Sequence, residues 1–119
     1  MSSISEQTAS EQAAAFFAQR PKQYNCAQAV AQTFGRDDLL KQLKSCGGGK
    51  APDGVCGALY AAMLLADEEQ RESVKEQFLK EAGYLECKAI RQNGQTPCAG
   101  CVRCAAGILA KIQDKNRQQ

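Results

Sequence analysis

Residues 55–66, VCGALYAAMLLA, run without a single charge between Asp53 on one side and Asp67 on the other. A segment apolar on every side reads as a helix buried inside a bundle, not as one lying on a surface. It is too short to span a bilayer, which takes about 20 residues. The rest of the chain must therefore supply elements that cover it. Alanine and glutamine are plentiful, β-branched residues are scarce, and no stretch alternates apolar with polar. The expectation is an all-α fold: one domain over residues 1–119, a bundle of about five to seven helices around the buried central helix. Residues 1–7 and 114–119 read as frayed tails.

Lys plus Arg total 15 against 13 Asp plus Glu, and the basic residues are dispersed. Neither the net charge of +2 nor its pattern argues for nucleic acid or a membrane surface as a partner. The polar first ten residues lack the apolar segment of an export signal, so the expected location is the cytoplasm. Seven cysteines in such a chain are the strongest compositional signal. A secreted disulfide scaffold would want export and an even count. The chain has no histidine. That removes Cys–His catalysis, His ligands and mixed Cys/His zinc fingers together. Any metal would be held mainly by thiolates.

Taken in order, residues 8–19 form a helix with Ala9, Ala13, Phe16 and Phe17 on one face, stopped by Pro21. A second helix starts at the N-cap Asn25 and ends at Gly35, with Ala27, Val30, Ala31 and Phe34 as its core face. Asp37 or Asp38 caps a short helix over 39–45. The loop CGGGKAPDG at 46–54 has the glycines but not the Gly-Lys-Ser/Thr or the preceding strand of a P-loop, so a nucleotide role is set aside. Residues 68–82 form an amphipathic helix with Val74, Phe78 and Ala82 inward and Gly83 as its C-terminal cap. A short helix over 85–92 carries Cys87, and Asn93-Gly94-Gln95 is a turn. Thr96-Pro97 opens the last helix. At 100° per residue, Val102, Ala105 and Leu109 share a face with Cys98, Cys101 lies on its border, and Cys104 points toward Arg103 and Lys111.

Cys26, Cys56 and Cys98 thus fall in the first turns of helices, and Cys87 near the start of another. Unpaired N–H groups there favour thiolate over thiol, which suits a reactive thiol or a metal ligand. One buried cysteine alone is most simply a small packing residue, and Cys46 and Cys104 are read that way. Cys101 completes a CxxC with Cys98 and is the candidate resolving thiol, although a thioredoxin-like strand context is missing. Tyr60, one turn beyond Cys56, is read as a core residue with its hydroxyl satisfied.

Four of these segments in order resemble the family of redox-active proteins named for its C_GCAxxG_C_C cysteine pattern. The resemblance runs over residues 24–112. Tyr24-Asn25-Cys26-Ala27-Gln28-Ala29-Val30 is similar to the family's first cysteine segment. Gly47-Gly48-Gly49 and Cys56-Gly57-Ala58 are similar to its glycine loop and signature. Cys87, and Cys98 with Val102, Ala105 and Leu109, match the last two segments. Ala61 replaces the signature's second glycine, and Cys46, Cys101 and Cys104 are extra. The resemblance implies a small helical protein that brings Cys26, Cys56, Cys87 and Cys98 together, and a link to electron carriers and iron–sulfur binding.

The first expectation is therefore a thiolate site of Cys26, Cys56, Cys87 and Cys98. It would hold an iron–sulfur cluster for electron transfer or cycle as dithiol and disulfide. The backbone around Gly57 would offer N–H···S bonds to an anionic cluster. Zinc on the same four thiolates is the weaker metal, because a second CxxC knuckle is absent. Alternatives are a metal-free thiol–disulfide oxidoreductase or redox sensor using Cys98 with Cys101 or Cys56, without cofactor, and a helical interaction protein with structural cysteines. The expected partner is a redox protein; a homodimer is left open.

Overall fold

Polar side chains at chain ends decide where the first helices begin. The computed structural model describes residues 5–19, 21, 23–46, 54–86, 89–90 and 98–117, of which 98–99 and 114–117 for their backbone alone. Ser5 accepts a hydrogen bond from the Thr8 amide at 3.1 Å and so caps α1, Glu6–Ala18. The helix therefore starts inside the stretch expected to be a frayed tail. Asn25 caps α2, Cys26–Thr33, as expected, and Gly35 follows its end with φ 71°. The next segment is one irregular helical run: a 3-10 turn at Asp37–Leu39, α3 at Leu40–Leu43, and a second 3-10 turn at Lys44–Cys46. Neither aspartate caps it. Arg36 donates to Asp38 instead, at 3.0 and 3.1 Å, and an exposed pair of this kind adds little stability.

The apolar segment becomes α4, Gly57–Leu65, with Cys56 as its N-cap residue. A 3-10 turn at Glu68–Gln70 leads into α5, Arg71–Ala82, which ends on Gly83 at φ 89°. Arg71 donates to the Met63 carbonyl at 2.8 Å and ties this connection to the end of α4. The last helix, α6, runs from Cys98 to Arg117, past the point where a tail was expected. Among the described residues there are six α-helices and no strand. One isolated antiparallel bridge joins Val55 to Glu86. Most of the expected helix over 85–92, the turn at 93–95, the Thr96-Pro97 start and the glycines at 47–49 lie outside the described residues.

The result is the expected all-α bundle. α4 is buried along Gly57, Ala58, Leu59, Ala61 and Ala62. It shares the centre with α6, which packs against α1, α2, α4 and α5. The reason is composition: α6 is small or apolar almost all round from Cys101 to Ala110, so neighbours can cover it from several sides. Phe78, Leu43, Leu59, Leu109, Val30, Val74 and Val102 are its fully buried large side chains. Alanines fill the spaces between, and close helix approach follows from them. Where α1 crosses α6, a Cβ on Gly107 would lie 2.7 Å from Ser10 Oγ. Ser10 there donates to the Arg103 carbonyl at 2.8 Å. No helix among the described residues is long and apolar enough to cross a membrane.

Candidate thiol site

The two residues that flank the first cysteine do more than start a helix. Asn25 and Gln28 form a reciprocal capping box: the Gln28 amide donates to Asn25 Oδ1 at 2.7 Å and the Asn25 amide to Gln28 Oε1 at 3.0 Å. The remaining donors reach across the fold. Asn25 Nδ2 donates to the carbonyls of Leu43 and Lys44 at 2.9 and 3.0 Å, and Gln28 Nε2 to that of Leu40 at 2.8 Å. These bonds satisfy carbonyls at both ends of α3 and just beyond it, and dock the turn that ends in Cys46 onto the start of α2. Asn25→Ala is expected to cost about 2 kcal/mol, the cap plus part of two hydrogen bonds. Asn25→Ser, which keeps the cap oxygen alone, is expected to recover about half of that in urea unfolding.

Gly57 is where this arrangement meets the central helix. A Cβ on Gly57 would stand 2.7 Å from Cys26 Sγ and 2.6 Å from the Cys46 carbonyl oxygen. The half-buried Cys26 thiol therefore lies against the backbone of Gly57, next to Cys56 in the chain. The Cys56 backbone is fixed on its other side, where its amide donates to the Leu85 carbonyl at 2.8 Å beside the Val55–Glu86 bridge.

Cys56 is 5% exposed and Cys101 2%, and Cys101 stands close enough to Cys56 to perturb its thiol. Cys104, one turn further along α6, is half-buried. The electrostatics of Cys56 run against the expectation for a helix start. Cys101 and then burial push the thiol far above the ordinary range. The amides of Leu59 and Ala58 at the head of α4 pull the other way and do not win. Burial, the Glu81 carboxylate and Cys56 push Cys104 up to about 12. Both are held as protonated thiols at neutral pH.

Of the four cysteines expected to converge, Cys26 and Cys56 adjoin Gly57. Cys87 lies outside the described residues, and so does the side chain of Cys98, whose backbone opens α6. Among the described residues, no three Cys, Asp or Glu are gathered so that they could hold a metal ion. Cys101, expected on the border of its helix face, is in the core beside Cys56. Two cysteines read as plain packing belong to the neighbourhood: Cys46 through its carbonyl at Gly57, and Cys104 through its charge coupling to Cys56. The spacing of Cys101 and Cys104, three apart on one helix, was the available signal for the second. Tyr60 is part of the core margin, half-buried, and its amide bonds the Cys56 carbonyl at 2.9 Å.

Comparison of the chain with protein-family models, curated proteins and solved structures finds no match.

Proposed function

We propose that this is a redox-active dithiol protein in which Cys56 and Cys101 cycle between paired thiols and a disulfide. What supports this reading is that Cys101, in the first turns of α6, stands near enough to Cys56, at the head of α4, to raise its thiol, and that both residues are buried. Oxidation by a partner disulfide would form the Cys56–Cys101 bond, break the partner's S–S bond, and move two electrons and two protons to the partner's thiols. The closed bond would tie α4 to α6 through the centre of the bundle. Thiols kept protonated and shielded suit a reducing compartment such as the cytoplasm, with a redox protein as partner. The likeness of the cysteine segments to the C_GCAxxG_C_C family points in the same direction.

A second reading rests on a different observation, the Cys26 sulfur against Gly57. In it Cys26, Cys56, Cys87 and Cys98 hold an iron–sulfur cluster, which would supply one-electron transfer. The protein's own part would be to deliver thiolates and backbone N–H groups at the head of α4.

One experiment separates the two. Protein is purified without oxygen, analysed for iron, sulfide, zinc and visible absorption, then treated with a mild thiol oxidant and mapped for disulfides. The expected result is a colourless, metal-free protein that forms the Cys56–Cys101 bond and loses it in Cys101→Ser. Iron with labile sulfide that is lost in Cys56→Ser but kept in Cys101→Ser establishes the cluster. Zinc alone makes the site structural. No metal and no disulfide leaves a helical interaction protein whose cysteines only pack.

A further inference from the structure

We infer that the run from Asp37 to Cys46 is a strap over the head of α4, and that it opens as a unit, with the rest of the bundle intact, to uncover Cys56 to a partner. The purpose of the opening rests on the Cys56–Cys101 reading; the motion does not. Cys56 is buried, so a partner can meet it only if something moves. What lies over the head of α4 on the α2 side is marked by Gly57, the residue after Cys56. A Cβ there would stand 2.6 Å from the carbonyl oxygen of Cys46, the last residue of the run, and 2.7 Å from Cys26 Sγ.

This run cannot hold its own shape. It is one turn of α-helix between two 3-10 turns, and pieces of that length do not persist alone. Its packing is chiefly against α2. Leu43 and Cys46 are its buried residues, Leu39 and Leu40 are half-buried, and the others are exposed. Three side-chain bonds from α2 and its cap tie it down: Asn25 to the carbonyls of Leu43 and Lys44, and Gln28 to that of Leu40. A segment so lightly buried opens at a lower free energy than the packed helices around it.

The two ends of the run differ. At its start Gly35 turns the chain out of α2 with φ 71°, and the Arg36 amide donates to the Ala31 carbonyl at 3.0 Å. The Arg36–Asp38 pair belongs to this fixed base and need not break. At the far end the run is clasped by Asn25 and by the burial of Leu43 and Cys46. Release of the clasp lifts the Cys46 main chain from Gly57 and leaves α6 packed among α1, α2, α4 and α5, with Cys101 still inside. One leucine and three hydrogen bonds therefore set how often the head of α4 is uncovered.

The test uses the full chain, reduced, with excess N-ethylmaleimide in rising but sub-denaturing urea. Initial labelling rates at Cys46, Cys56 and Cys101 are read by peptide mapping. Cys46 and Cys56 are expected to react together with a weak urea dependence, and Cys101 far more slowly with the urea dependence of global unfolding. Leu43→Ala weakens the closed state alone and should speed Cys46 and Cys56 roughly tenfold or more. Val74→Ala, in α5, weakens the closed and open states alike and should speed only Cys101. Cys56 following Cys101, in urea dependence or in Val74→Ala, overturns the strap, whether or not diamide forms the Cys56–Cys101 bond. If diamide forms no such bond while Cys46 and Cys56 still react together, the strap stands and the dithiol reading fails. The unmodified chain and Val74→Ala decide the matter even where Leu43→Ala does not fold.

Discussion

Between about pH 8.5 and about pH 10.5 the protein is expected to lose about 2 kcal/mol of stability that a Cys56→Ala variant does not lose. In the unfolded chain a thiol ionises near pH 8.5. In the folded chain Cys56 keeps its proton well beyond that, first because of Cys101 beside it and then because it is buried. Above the unfolded value the unfolded state therefore binds fewer protons than the folded one, and stability falls by about 1.4 kcal/mol per pH unit for each such thiol. Below it the contribution is fully present. Cys104, raised for similar reasons but half in solvent, adds a smaller slope to both proteins. Urea unfolding at half-unit steps of pH measures the two curves. Cys56→Ala starts lower because it leaves a small void, so the slopes decide, not the intercepts. Parallel curves would show that Cys56 ionises in the folded protein as readily as in the unfolded one, and the protonated pair would have to be given up.

That slope bears on what the pair can do. A thiol held protonated reacts slowly with any oxidant it happens to meet, because the thiolate is the nucleophile. The head of α4 does not by itself make Cys56 reactive: the two amides there are outweighed by a neighbouring sulfur and by burial.

How much of this could be read in advance depended on whether a residue's role is local. The inward positions of α5 follow from four-residue spacing alone, and Val74 and Phe78 are fully buried, with Ala82 at 2%. Asn25 and Gly83 end their helices through bonds to nearby backbone, and both were legible for that reason. The aspartates after α2 were misread because a local rule for caps ignores a competing local partner, Arg36.

Roles that depend on neighbours in space were not legible. The angle of Cys101 on its helix puts it on the border of one face. What that angle omits is how many helices cover α6, and with α1 on one side and α2, α4 and α5 on others the border is core. Asn25 could be recognised as a cap, but not as the residue that docks the turn before Cys46, since its amide donors act on carbonyls eighteen and nineteen residues away. Cys46 enters the site through its main chain, which side-chain chemistry cannot announce. Cys56 stands out in the sequence for its place at a helix start, and the Gly57 that follows it carries more than its apparent meaning.

Gly57→Ala tests that meaning, and is expected to cost about 3 kcal/mol, the upper part of the range for forcing one extra carbon into a packed core. Gly57 does not have the positive φ that would call for glycine; among the described glycines that belongs to Gly35, Gly54 and Gly83. Alanine at a helix start would, if anything, gain a few tenths of a kcal/mol from propensity. The cost comes from space. The added carbon meets the Cys46 carbonyl oxygen at 2.6 Å and the Cys26 sulfur at 2.7 Å, and real Cβ atoms do not come so close. The first of these is backbone, at the end of a turn that Asn25 and Gln28 dock through Leu40, Leu43 and Lys44, and cannot swing away as a side chain can. Gly107→Ala is the internal comparison: its nearest contact is the Ser10 hydroxyl, which can rotate at the loss of one hydrogen bond, so a loss of about 1 kcal/mol is expected. Removing the sulfur in Gly57→Ala/Cys26→Ala relieves one of the two clashes and should restore only part of the loss. Full restoration would mean that the sulfur alone demands the glycine. No loss in Gly57→Ala would mean that Cys26 and Cys46 do not close on the head of α4 at all, and the thiol site would lose the contact that joins its two halves.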